Sequence, residues 1–195
     1  MLFSSNWLAR YVELPEETDH LAELLTRCGM VVEGIRSHSD GVLLDLDIPT
    51  NRVDAMNHYG LAREIATARR IDLQAPEFIV NETGPAANEL TTIAIDDWNG
   101  CPRYTARLIR GVKVEPSPQW LANLIESIGL RPLNNVADIT NFVLWELGHP
   151  LHAFDFDLLA DNQILIRRAR KSESLVALDH IDHKLTSSDL VIADG

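Results

Sequence analysis

The residues best equipped for chemistry crowd into one stretch, Arg131 to Asp155, which reads RPLNNVADITNFVLWELGHPLHAFD. It holds Asn134, Asn135, Asp138, Thr140, Asn141, Glu146, His149 and His152, more hydrogen-bonding side chains than a purely structural helix needs near its ends. Asn134 and Asn135 have an equally good use as turn and cap residues, because their short amides compete with backbone groups. His152 follows Pro150 at a helix-to-loop junction, where a histidine more often packs or caps than catalyses. Thr140, Asn141 and His152 converge on one pocket if the chain reverses at Gly148-His149-Pro150. A Gly-rich phosphate loop and a Cys/His zinc spacing are both missing from the sequence, and the mere presence of Ser, His and Asp does not make a hydrolase triad.

Two blocks of elements must position this stretch. In the first, Leu2 to Val12 carries apolar residues at helical spacing, with Ser4 or Ser5 as N-cap. A second helix starts at Thr18, buries Leu21, Leu24 and Leu25, and ends at Gly29. Met30–Ile35 and Val42–Ile48 read as strands of a hairpin; in the second, Leu44, Leu46 and Ile48 alternate with Asp45 and Asp47. Asn51 or Asp54 then caps a helix over about 53–69. Pro76, Gly84 and Pro85 mark a linker.

The second block opens with a strand over Leu90–Ile95 and another over Tyr104–Val114. Ser117 and Pro118 start a helix over 118–128. A further helix over 136–147 turns Val136, Ile139, Val143 and Leu147 to one side. Short strands follow at Ile164–Arg168, Ser174–Leu178 and Leu190–Ala193. The fold class is α+β, with helices grouped against mixed or antiparallel sheets. The division is a small helix/strand opening domain over 1–75, a linker over 76–88, and part of a mixed α+β domain over 89–195.

Composition narrows the function. Hydrophobic residues make up 46% of the 195, enough for a real core. No stretch approaches the ~20 apolar residues that span a bilayer, and the opening lacks the pattern of a secretion signal. Cys28 and Cys101 suggest small buried residues in a reducing compartment. The net charge of −12 argues against a surface that grips phosphate throughout, and for a partner that carries basic charge or only local contact with RNA. A small basic patch is compatible with it: Arg167, Arg168, Arg170 and Lys171 form one such cluster, whose commoner reading is a solvated strand edge that discourages pairing.

The motifs CPRYTAR, PSPQWL, GLRPLNNVADITN, ELGHPLHAFD and DLVIADG resemble, in order and spacing, the editing domain of the bacterial phenylalanyl-tRNA synthetase β subunit. SSNWLARYVELP, LAELLTRCGMVVEGI and DLDIPTNRVDAMNHYGLAREIA are similar to that family's opening domain. The resemblance covers almost the whole chain. In the family an oligonucleotide-binding barrel separates the VEGI strand from the acidic strand before TNR; here only Arg36 to Gly41 stands between them.

The resemblance implies a subunit of phenylalanine–tRNA ligase that supports attachment of phenylalanine to its tRNA. It also implies hydrolysis of tyrosine wrongly joined to that tRNA, because a hydrophobic pocket rejects one added hydroxyl only weakly. The family's Thr-Asn pair and the His of PLHAFD match Thr140, Asn141 and His152, with the role of holding the terminal adenosine, the ester and the attacking water. The implied partners are the α subunit, in an assembly of two α and two β subunits, and the 3′ end of phenylalanine tRNA; the implied setting is the cytoplasm, with no membrane. ATP and Mg²⁺ belong to the complete enzyme, and no residue of this chain is expected to bind either.

The family's tyrosine-sensing glutamate lies past the point matching Gly195, so the expectation is half a pocket, inactive alone, with residues 88–195 marginally stable and residues 1–80 closed. Alternative readings are a free-standing deacylase acting in trans and a non-catalytic paralogue that binds tRNA or protein.

Overall fold

Ser4 ends a strand and starts a helix with the same side chain. Its hydroxyl accepts from the backbone N–H of Trp7 at 3.3 Å, which caps the short helix α1 (Ser5–Leu8). The residues before it, Leu2–Ser4, form strand β1 and not the start of one long helix as the spacing predicts. The backbone of Leu2 to Ser4 pairs antiparallel with Asp45 to Leu43, and this pairing outweighs a weak helical periodicity. These facts come from a computed structural model that describes all residues except Ser39, Asp40, Leu178, Asp179 and Gly195.

The remaining elements follow in chain order. Helix α2 (Thr18–Arg27) buries Leu21 and Leu25 and ends before Gly29, whose φ of 88° suits only glycine without strain. Glu17, not Thr18, occupies its cap position, without a side-chain bond. Strands β2 (Val31–His38) and β3 (Gly41–Asp47) pair antiparallel, so that β1, β3 and β2 form a three-stranded sheet in that order. Only positions 39 and 40 separate β2 from β3, which leaves no room for a barrel between them. These two linking positions lie outside the described residues.

Helix α3 (His58–Arg69) starts later than the sequence suggests. Val53–Ala55 form a separate 3₁₀ turn, and Asn57 caps α3 by accepting from Gly60 N–H at 2.7 Å. Gly60 is required there: a Cβ would stand 1.8 Å from the Asp54 carbonyl oxygen.

Helices α4 (Ala87–Leu90), α5 (Gln119–Ser127) and α6 (Asn135–Leu147) complete the helical set. Strand β4 (Thr92–Ile95) runs parallel to β5 (Gln163–Arg168), and β5 runs antiparallel to β8 (Leu190–Ala193). Strands β6 (Ser174–Val176) and β7 (Asp182–Lys184) pair with each other. The expected strand over Tyr104–Val114 does not form: residues 102–118 carry no regular structure. Alternation there defines two faces but supplies no neighbouring strand to bond with. The last residue of the expected Ser174–Leu178 strand lies outside the described residues.

The chain is α+β and divides into two compact units. One comprises residues 1–79 and 113–153, the other residues 80–112 and 154–195. The sequence division at 75 and 89 follows motif order; the compact units instead take α5 and α6 into the same body as the opening elements.

The core of the first unit explains why. Phe3, Trp7, Leu8, Leu25, Leu44, Leu61 and Ile65 are fully buried together, with Ile128 beside them and Phe142 and Trp145 packed against them. Aromatic pairs such as these add about 0.5–1.5 kcal/mol each beyond the area they bury. In the second unit the core is smaller, built on Ile164, Ile166 and Ala169.

Candidate functional site

Helix α6 carries two of the three residues singled out from the sequence, and its start is fixed by three short polar side chains. Asn134 caps it, accepting from Val136 N–H at 3.1 Å and Ala137 N–H at 3.0 Å. Asn135 turns outward and ties the preceding strand of chain: its amide donates to the Lys113 carbonyl at 2.9 Å and accepts from Glu115 N–H at 3.3 Å. Asp138 is fully buried, and its carboxylate accepts from Leu133 N–H at 3.0 and 3.1 Å and from the Ser117 hydroxyl at 2.5 Å. Ser117 therefore serves Asp138, and Pro118 takes the cap position of α5 that the sequence assigns to Ser117. Three of the eight polar residues in the stretch are thus structural.

The inward face of α6 differs from expectation. Asp138, Phe142 and Trp145, at i, i+4 and i+7, point to the core, whereas Ile139 and Leu147 are nearly half exposed. Phe142 stacks on Trp7 with centroids 5.3 Å apart and planes 7° from parallel, and meets Trp120 edge-on at 5.8 Å. Large aromatic faces bury more area than Val136 or Ile139 can, so they set the rotation of the helix.

That rotation decides where the candidate residues stand. Thr140 lies two residues from both Asp138 and Phe142, about 200° around the helix from each. It is therefore on the side away from the core and half-buried. Its hydroxyl donates back to the Ala137 carbonyl at 2.7 Å, which leaves its lone pairs to accept from a ligand. Asn141 is half-buried beside it. Gly148 ends the helix in the left-handed conformation, φ 72°, and a Cβ there would come within 2.7 Å of the Asn57 amide. After this reversal His152 stands exposed on an irregular segment. All three residues belong to the first compact unit. The structure makes Thr140 and Asn141 neighbours. It places His152 on the segment after the turn. Two surface concavities lie elsewhere: one of about 580 Å³ between α2 and β2, and one of about 320 Å³ lined by Asp54, Asn57, Arg63 and Gly148.

Sequence reasoning missed the groups that hold the far end of α6. Tyr11 donates its hydroxyl to the Glu146 carboxylate, and burial together with that carboxylate pushes the phenol well above its ordinary range. His58 is fully buried, its ring stacked 4.0 Å from Trp7. Its Nε2 accepts from Ser4 N–H at 3.2 Å, so the ring proton sits on Nδ1, which donates to the Trp145 carbonyl at 2.8 Å. Burial lowers its pKa to about 3. Its partners are 54 and 87 positions away in the chain, so only the tertiary structure reveals them.

The basic cluster is not on a strand edge. β5 is the middle strand of β4-β5-β8, and Arg167 forms a two-pronged bond to Glu173 at 2.8 and 2.9 Å while Arg168 binds Asp97 at 2.5 Å. Half of the expected phosphate-binding charge is spent inside the unit. Among the described residues no three His, Cys, Asp or Glu side chains gather as metal ligands. No helix among the described residues is long and apolar enough to cross a membrane.

The B3/4 domain family matches residues 100–195, the segment that carries Thr140, Asn141 and His152. The phenylalanine–tRNA ligase β subunit of Rhodopirellula baltica is 40% identical over 195 residues, which is 100% of this chain. The chain belongs to the phenylalanine–tRNA ligase β-subunit family. A second β subunit of the family, from Syntrophotalea carbinolica, is 46% identical over 156 residues, or 79% of this chain. The chain spans 29% of the first of these relatives and 19% of the second. A crystal structure of an N-terminal fragment of the phenylalanyl-tRNA synthetase β subunit from Pyrococcus horikoshii aligns with 95% of this chain and 50% of its own length, with a TM-score of 0.44 and 18% identity. By its sequence identity to the Rhodopirellula baltica protein, the chain is related to a subunit of an aminoacyl-tRNA ligase.

Proposed function

We propose that this chain contributes to the β subunit of a cytoplasmic phenylalanine–tRNA ligase, partnered with an α subunit, and takes part in hydrolysing tyrosine misattached to phenylalanine tRNA. The observation that carries this reading is the B3/4 match over residues 100–195, the segment that holds Thr140, Asn141 and His152. Asn134, Asn135 and Asp138 have structural duties, whereas Thr140 keeps acceptor lone pairs on the side away from the core and His152 is open to solvent.

The chemistry is ester hydrolysis. Water attacks the carbonyl carbon of the aminoacyl ester, an oxyanion forms, and the ribose oxygen of the terminal adenosine leaves with a proton. The Thr140 hydroxyl accepts from a ribose hydroxyl, and the Asn141 amide both donates and accepts, which suits the ester and the ribose together. His152 either takes the proton of the attacking water or holds that water in line. The net charge of −12 confines RNA contact to a local area, in keeping with recognition of one terminal nucleotide. ATP and Mg²⁺ serve the aminoacylation step of the complete enzyme; no step here is routed through either.

The test is deacylation of tyrosyl-tRNA by the assembled ligase carrying Thr140→Ala, Asn141→Ala or His152→Ala. Loss of a general base or of water alignment lowers the rate by about 10²-fold or more. Wild-type rates in all three variants refute the reading.

A further inference from the structure

The C-terminal end of α6 is held by a side chain from a distant part of the chain. The carbonyl of Trp145 is one of the last four of the helix and has no intrahelical donor. It belongs to a partly buried residue packed against the aromatic cluster. The Nδ1–H of His58 serves it at 2.8 Å. The same ring accepts from Ser4 N–H at 3.2 Å, stacks on Trp7 at 4.0 Å and packs at a tilt on Phe3 at 5.0 Å. Every freedom of the imidazole is thereby removed. One residue along, Glu146 receives the hydroxyl of Tyr11. The helix end is thus pinned by two side chains that belong to the opening elements.

Pinning one end of a rigid helix fixes the rotation of the whole. Trp145 lies four and five residues from Asn141 and Thr140, about one turn away. A rotation of α6 moves all of them together. We infer that His58 is a positioning residue for the Thr140–Asn141 pair, acting through its bond to the Trp145 carbonyl. The inference rests on the editing reading above. His58 itself has no route to substrate, since it is sealed in the core.

The two halves of the ring separate by substitution. In His58→Asn the amide nitrogen falls near the place of Nδ1 and keeps a donor for Trp145. In His58→Gln the longer amide reaches the place of Nε2 and keeps an acceptor for Ser4. Both lose the ring stack. Leu25→Ala damages the same core away from α6 and serves as a control of general destabilisation.

The experiment measures kcat and KM for tyrosyl-tRNA deacylation by the assembled ligase below the melting temperature of each variant, with Thr140→Ala and His152→Ala run beside them. The expected result is a kcat at least tenfold lower in His58→Gln with KM within twofold of wild type, a substantially recovered kcat in His58→Asn, and no kcat change in Leu25→Ala. Equal kcat in wild type and His58→Gln, or equal losses in His58→Gln and His58→Asn, overturns the inference. If His58→Gln does not fold, His58→Asn carries the test: it keeps the donor to Trp145, and a kcat tenfold or more below wild type in that variant overturns the inference. Wild-type rates in Thr140→Ala and His152→Ala sink the editing reading itself, which is a separate outcome.

Discussion

The Nδ1–H of His58 donates to the carbonyl oxygen of Trp145 across 2.8 Å, joining residues 87 positions apart. The companion bond, which Nε2 accepts from Ser4 N–H at 3.2 Å, holds only while the ring is neutral. A second proton on the ring would turn that acceptor into a donor facing a donor. The first compact unit therefore rests on a histidine that must stay uncharged.

Acid lability follows, and its sign is fixed. Burial lowers the His58 pKa to about 3 in the folded chain, against 6.5 when unfolded. Between these values the unfolded state binds the extra proton, so stability is full above about pH 6.5 and falls as the pH drops toward 3. The slope reaches about 1.4 kcal/mol per pH unit for one proton. Urea midpoints of the chain measured between pH 7.5 and 5 should decline accordingly, and His58→Asn should flatten the decline. A midpoint independent of pH over that range would contradict this.

Asp138 tests the structural reading of the polar stretch. Asp138→Ala strands the Leu133 N–H and the Ser117 hydroxyl, both only part-buried, at a cost of at most about 1–3 kcal/mol each. Asp138→Asn keeps one acceptor oxygen and should cost less. Equal destabilisation of the two in urea unfolding would show that the hydrogen bonds are not what the carboxylate supplies.

In the second unit, Glu173 should titrate far below an ordinary carboxylate. The bond from Arg167, and after it the backbone N–H of Arg170, hold its pKa near 2. A group depressed in this way supports the fold above about pH 4.5 and loses that support as the pH falls toward 2. An NMR titration should place the Glu173 carboxylate midpoint near 2, and Glu173→Gln should lower the melting temperature at neutral pH. A midpoint near 4.5 would mean that the Arg167 contact does not persist in solution.

How much of this was legible beforehand depended on the range of the interactions. Helix α2, the hairpin of β2 and β3, and strands β5 and β8 announce themselves through local periodicity, and each forms within two residues of expectation except β2, which runs three residues further, to His38. The α+β class followed from these, and the family from long motifs. The rotation of α6 did not follow, because Phe142 and Trp145 find their aromatic partners in Trp7 and Phe3, far away in the chain. For the same reason the capping by Asn57 was misplaced by a few residues: the 3₁₀ turn Val53–Ala55 separates a helix-like sequence from the helix. Asn134 was readable as a cap from its type and place, whereas the role of His58 was not, since no neighbour in sequence hints at Ser4 or Trp145.

The same argument accounts for the candidate site. Thr140, Asn141 and His152 stood out by type and by motif, and the helix geometry explains why Thr140 is turned from the core. What the local sequence could not supply was the set of structural duties that removes Asn134, Asn135 and Asp138 from the candidates.

The most direct measurement is binding of a non-hydrolysable 3′-tyrosyl-adenosine analogue, followed by NMR on the assembled β subunit with Thr140, Asn141 and His152 assigned. The account predicts that the signals of these three residues shift together along one saturating curve. If the analogue shifts residues around Asn57 and Arg63 while leaving 140, 141 and 152 unmoved, the site is elsewhere and the account fails.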